Sequence, residues 1–91
     1  MSTAPAYLAL VAEAQIDAGV RFGIPAEVAQ QLVVATMAGT ARLLEHHGHD
    51  TLAVRRGVTS PGGMTARGLE ALEAHGVRSA FMDAMHEVAG R

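Results

Sequence analysis

Between Tyr7 and Val88 the apolar residues recur at steps of three and four, and no segment alternates with period two. That spacing lines one face of an α-helix and provides no strand to pair, so the chain can fold only as a packing of helices. The first stripe is Tyr7, Leu8, Val11, Ala14/Gln15, Ala18 and Phe22, with Pro5 near the first turn and Gly19 and Gly23 loosening the end. Pro25 at a first helical position and Glu27 open a second helix carrying Val28, Leu32, Ala35/Thr36, Gly39 and Leu43, and His46-His47-Gly48 closes it. Ala35 and Gly39 stand four apart on that face, which admits close approach of another helix. Asp50 caps a short helix from Thr51 to Arg56, Gly57 ends it, and Val58-Thr59 is extended. Ser60 as N-cap and Pro61 at the first helical position begin a helix through Leu69 and Leu72 to His75-Gly76. The last helix starts near Val77 and shows Phe81, Ala84, Met85 and Val88. The expected fold is all-α, four main helices and one short one, in a single domain over residues 1–91.

Composition adds a constraint on how those helices are covered. Of 45 hydrophobic residues 18 are alanine, and aromatic residues make up only 3% of the chain, so a monomeric core would be thin. A chain this short buries only about 60–65% of its unfolded surface, which makes a symmetric partner the expected remedy. The absence of cysteine excludes a disulfide framework, a thiolate metal site and a cysteine nucleophile, and leans towards the cytosol. Seven Arg, no Lys and nine acidic residues give −2, with the Arg scattered except for Arg55-Arg56. That is no nucleic-acid footprint. No apolar run reaches the roughly 18 residues of a membrane span, and the N-terminus lacks the positive region of a signal peptide. The expected location is the cytoplasm, with no membrane partner.

The segment Ser60-Pro61-Gly62-Gly63-Met64-Thr65 carries the most chemistry. Two glycines in the first turn of a helix cost about 2 kcal/mol of propensity together, and close backbone approach is the usual reason to keep them. The free amides of Gly62, Gly63, Met64 and Thr65 would face a small carboxylate or phosphate with the helix dipole behind them. The Thr65 hydroxyl lies within reach of a polar atom of the same ligand. The competing account is that the glycines admit a closely packed helix. If Gly63 serves ligand approach, Gly63→Ala leaves the melting temperature unchanged and abolishes carboxylate binding.

Ser60-Pro61-Gly62-Gly63-Met64-Thr65, followed by Gly68-Leu69, Leu72-Glu73, Gly76-Val77-Arg78 and Ala84, resembles the C-terminal domain of pyrroline-5-carboxylate reductase. Pro5-Ala6-Tyr7, Asp17-Ala18-Gly19-Val20 with Gly23-Ile24-Pro25, and Gly39-Thr40-Ala41 with Leu43-Leu44 extend the resemblance over nearly the whole chain. It implies an interleaved helical homodimer of the 6-phosphogluconate dehydrogenase C-terminal-like type, which often assembles further into rings of dimers. It also implies that Ser60, Gly62, Gly63 and Met64 cradle the carboxylate of 1-pyrroline-5-carboxylate while Thr65 contacts the imine nitrogen, the one catalytic assignment. NADPH or NADH would serve the complete enzyme in proline biosynthesis, held by an N-terminal Rossmann-type domain. No G-x-G-x-x-G occurs here, so no cofactor is expected on this chain and it is expected to be inactive alone unless a separate dinucleotide-binding subunit docks beside it. The chain would then be a fragment, a split-gene subunit or a stand-alone product. Met64, Ala4, Ala35 and Arg56-Gly57 depart from the family pattern. The alternatives are a stand-alone dimeric interaction or regulatory module and a binder of small carboxylates without reductase activity.

Other clusters have simpler accounts. His46, His47 and His49 with Asp50 contain metal-ligand types, but adjacent helical residues diverge by about 100° and imidazoles suit a helix C-terminus, so no metal is expected. Glu70 with Glu73 and Glu13 with Asp17 are read as solvated, with Arg67 and Arg21 as spaced ion-pair partners rather than acid–base pairs. No histidine stands where it would activate Ser60 as a nucleophile. Met37, Met82 and Met85 are read as core filler.

Overall fold

A computed structural model describes residues 3–90; the readings that rest on Met1 and Ser2 lie outside them. Five helices follow in order: α1 (Ala4–Arg21), α2 (Ala26–His46), α3 (Thr51–Gly57), α4 (Met64–Ala74) and α5 (Val77–Ala89). No strand occurs among the described residues, and the all-α expectation with one short helix holds. The chain divides into two compact units, one ending at Asp50 and the other beginning at Thr51.

In the first unit α1 and α2 form an antiparallel hairpin. Pro5 sits in the first turn of α1, where its missing amide is not needed. At the other end the Gly23 N–H donates to Val20 O and the Ile24 N–H to Gly19 O, with Gly23 at φ 101°. That pair of bonds is a Schellman closure, and the left-handed residue it requires explains Gly23. The same closure ends α2, through Gly48 N–H to Glu45 O and His49 N–H to Leu44 O. Pro25 is the N-cap of α2 rather than its first residue, because its ψ of 140° is extended while its carbonyl already accepts the Ala29 N–H. The second unit contains α3 and the α4–α5 pair, joined through Gly76 at φ 75°.

The two hairpin helices bury a narrow seam. Ala29 is the one buried residue among those described, at 2% exposure, while Tyr7, Val11, Ala12, Ile16, Gly19, Val33, Met37 and Leu44 are half-buried. A Cβ at Gly19 would lie 3.6 Å from the Ala29 Cβ and 3.5 Å from the Ile24 Cδ1, so the helices approach closely there. The α2 stripe marked out by the sequence spacing faces away from α1. Val28, Leu32 and Leu43 are exposed, and nothing lies within 4 Å of where a Gly39 Cβ would stand. The period was read correctly, but a helix with apolar residues on two faces gives no sign of which one its own chain will cover. On α1, Tyr7 and Val11 enter the seam, whereas Leu8 and Phe22 do not. In the second unit Leu69, Val77 and Ala84 are half-buried, while Leu72, Phe81, Met82, Met85 and Val88 stay exposed. Met82 and Met85 are therefore not core residues of this chain, and only Met37 is partly enclosed.

The accessible surface of 7405 Å² sets the scale of this exposure. Two separate compact bodies sharing this mass would expose only about 6,000 Å². No helix among the described residues is long and apolar enough to cross a membrane.

Candidate functional site

The glycine-rich segment lies between α3 and α4, and its local geometry follows from its residue types. The Gly63 N–H donates to Ser60 O at 3.0 Å, closing a turn with Pro61 second and Gly62 third at φ 71°. Proline followed by a left-handed glycine is the signature of a type II turn. Ser60 and Pro61 therefore do not start α4. Gly63 does, as an N-cap with φ −80° and ψ −179° and no side-chain cap, and its carbonyl accepts the Arg67 N–H at 3.1 Å. Val58 is not extended either, because the Val58 and Thr59 amides donate to Arg55 O and Arg56 O and continue the turn that ends α3.

This shift of three residues changes which donors are free. Of the amides expected to face an anion, that of Gly63 is used by the turn. Those of Met64 and Thr65 occupy the first turn of α4, where no preceding carbonyl is in register to accept them, and the Ala66 amide, not among those expected, joins them there. Ser60, Gly62, Met64 and Thr65 are exposed, Met64 at 82%, and Gly63 is half-buried. The expected site residues thus fall in the turn before α4 and in its first turn, at the positive end of the helix. Both glycines also have local causes. Gly62 supplies the positive φ, and a Cβ on Gly63 would stand 3.2 Å from Ser60 O. Sequence reasoning missed the turn, although Pro-Gly at its centre was a sufficient signal.

The histidine and acidic clusters make the following local contacts. The His47 Nδ1 lies 3.0 Å from Leu43 O and its ring meets His46 edge-on at 5.3 Å. Among the described residues no group of three His, Cys, Asp or Glu could hold a metal ion. The acidic pairing differs from expectation, since Glu73 is joined by the Arg78 Nε at 2.8 Å rather than by Arg67. A groove of 240 Å³ in the second unit is lined by Leu69, Leu72, Val77 and Phe81 together with Arg55 and the paired Glu73 and Arg78.

A paired-helix chain with apolar outer faces and an exposed, glycine-led helix start defines a small helical association domain. The chain belongs to the family of pyrroline-5-carboxylate reductase dimerisation domains, which all of residues 1–91 match. It is 47% identical over 90 residues to the pyrroline-5-carboxylate reductase of Thermus thermophilus, covering 99% of this chain and 34% of that protein. The Corynebacterium melassecola enzyme is 42% identical over 89 residues, covering 98% and 33%. The crystal structure of Plasmodium falciparum pyrroline carboxylate reductase with NADP bound matches with a TM-score of 0.89 at 32% identity, over 94% of this chain and 33% of that one. The chain thus spans about a third of the length of the curated relatives it matches.

Proposed function

We propose that this chain is the dimerisation and substrate-cradle part of a cytoplasmic reductase that converts 1-pyrroline-5-carboxylate to L-proline, and that it is inactive by itself. The observation that carries the first half is the exposure of Leu32, Leu43, Phe81 and Met85 in a domain whose family is named for dimerisation. A second copy is the occupant that covers these faces, as an interleaved dimer able to build rings of dimers. In the second half, the substrate carboxylate accepts hydrogen bonds from the Met64 and Thr65 amides, favoured by the α4 dipole. The Thr65 hydroxyl contacts the ring nitrogen, and Ser60, Gly62 and Gly63 form the wall through the turn.

A nicotinamide nucleotide does not fit the described residues. The one glycine-rich turn follows a helix, not a strand, and no strand is present among them to build a dinucleotide cradle. NADPH or NADH would have to be held elsewhere, on another domain or on a separate subunit. A reading without a ligand, as a stand-alone interaction module, is favoured by the local causes found for Gly62 and Gly63.

An amide NMR titration with L-proline and a ring-oxygen analogue that keeps the carboxylate decides between them. Saturable shifts confined to Gly62–Thr65 are expected of the cradle. No shifts in a folded dimer would assign the segment to structure alone and remove the small-carboxylate reading with it.

A further inference from the structure

The turn that carries the candidate site is tied at its start by a residue with no assigned role. The Thr59 hydroxyl donates to Arg55 O at 2.5 Å, four residues back and two residues beyond the end of α3. That carbonyl also accepts the Val58 N–H at 3.3 Å, so it receives two donors while the Thr59 N–H goes to Arg56 O. Thr59 is half-buried between exposed neighbours, Val58 and Ser60. The next residue, Ser60, supplies the carbonyl that closes on Gly63 and that a Gly63 Cβ would meet. Hydroxyl, turn and helix start therefore form one hydrogen-bonded run from α3 to α4.

We propose that Thr59 is a positioning residue: its hydroxyl clamps the end of α3 and thereby fixes the Ser60–Gly63 turn and the direction in which the first amides of α4 face a carboxylate. The inference rests on the cradle reading given above. It concerns a hydroxyl that touches no substrate and acts through Ser60. A methyl group in its place leaves the Arg55 carbonyl with the Val58 amide alone, and the turn loses its anchor on one side.

The test compares Thr59→Val, which keeps the shape and removes the hydroxyl, with Thr59→Ser, which keeps the hydroxyl and removes the methyl. In the full chain, amide hydrogen exchange at Gly63 and L-proline affinity by NMR titration are read for both, with circular dichroism as the check on folding. Thr59→Val is expected to weaken L-proline binding about fivefold and to speed Gly63 exchange, and Thr59→Ser to restore both to within about twofold. Unchanged binding and exchange in Thr59→Val overturn the proposal while the cradle stands. Equal losses in both variants overturn it too, because the methyl and not the hydroxyl would then hold the turn. A wild-type chain that binds no L-proline overturns the cradle reading and the proposal with it.

Discussion

At Gly63 the space for a side chain is bounded by the oxygen of Ser60, 3.2 Å from an ideal Cβ and part of the backbone. Backbone yields less than the end of a flexible side chain, so Gly63→Ala is expected to displace the turn and lower stability by about 1 kcal/mol, several degrees in melting temperature for a chain of this size. Thermal unfolding at fixed concentration checks this, and an unchanged midpoint would restore the simpler view that the glycine serves ligand approach alone. Gly19 makes the opposite case. Its Cβ would sit at ordinary contact distance from Ala29 and Ile24, so Gly19→Ala should raise stability by up to about 1 kcal/mol through helix propensity. The glycines were conspicuous in the sequence, but their reasons were not. Propensity says only that a glycine is costly, whereas the turn, the Schellman closure and the helix approach that justify it depend on neighbours placed by folding.

Among elements, α2 carries the sharpest contrast between what was legible and what was not. Its period, its ends and the small pair Ala35 and Gly39 could all be read from spacing, but its inner face could not, because Ala29, Val33, Met37 and Leu44 repeat just as regularly as Val28, Leu32 and Leu43. If the outer face receives a helix of a second copy, Gly39→Ala should weaken self-association in sedimentation while raising the helicity of the free chain. Gain of helicity with association intact would place the contact elsewhere. The Arg78–Glu73 pair that links α5 to α4 is a lesser matter. Its side chains are 70% and 46% exposed, and such pairs contribute roughly 0–1 kcal/mol, so Glu73→Gln should move the melting temperature by no more than a few degrees. The start of α4 was misplaced by three residues, at Ser60 instead of Gly63, since Pro61 fits both the first turn of a helix and the second position of a turn.

For the whole molecule, the thin core anticipated from alanine content and scarce aromatics is visible as a single buried side chain among the described residues. The exposed leucines are already about half covered, so each that a second copy buries contributes on the order of 1 kcal/mol, about half of a full burial. The chain is therefore expected to sediment as a dimer at micromolar concentration, with a melting temperature that falls on dilution. Leu32→Asp should abolish both the dimer and the cooperative transition. A compact monomer with a concentration-independent midpoint would remove the interleaved arrangement.

That Ala29 alone is buried among the described residues also bears on how such a protein is made. Where folding and pairing are one event, newly synthesised chains depend on meeting each other, and the yield of finished protein at low expression falls with the square of supply rather than in proportion to it. Until that meeting, Phe22 and the outer leucines are open to chaperones and proteases.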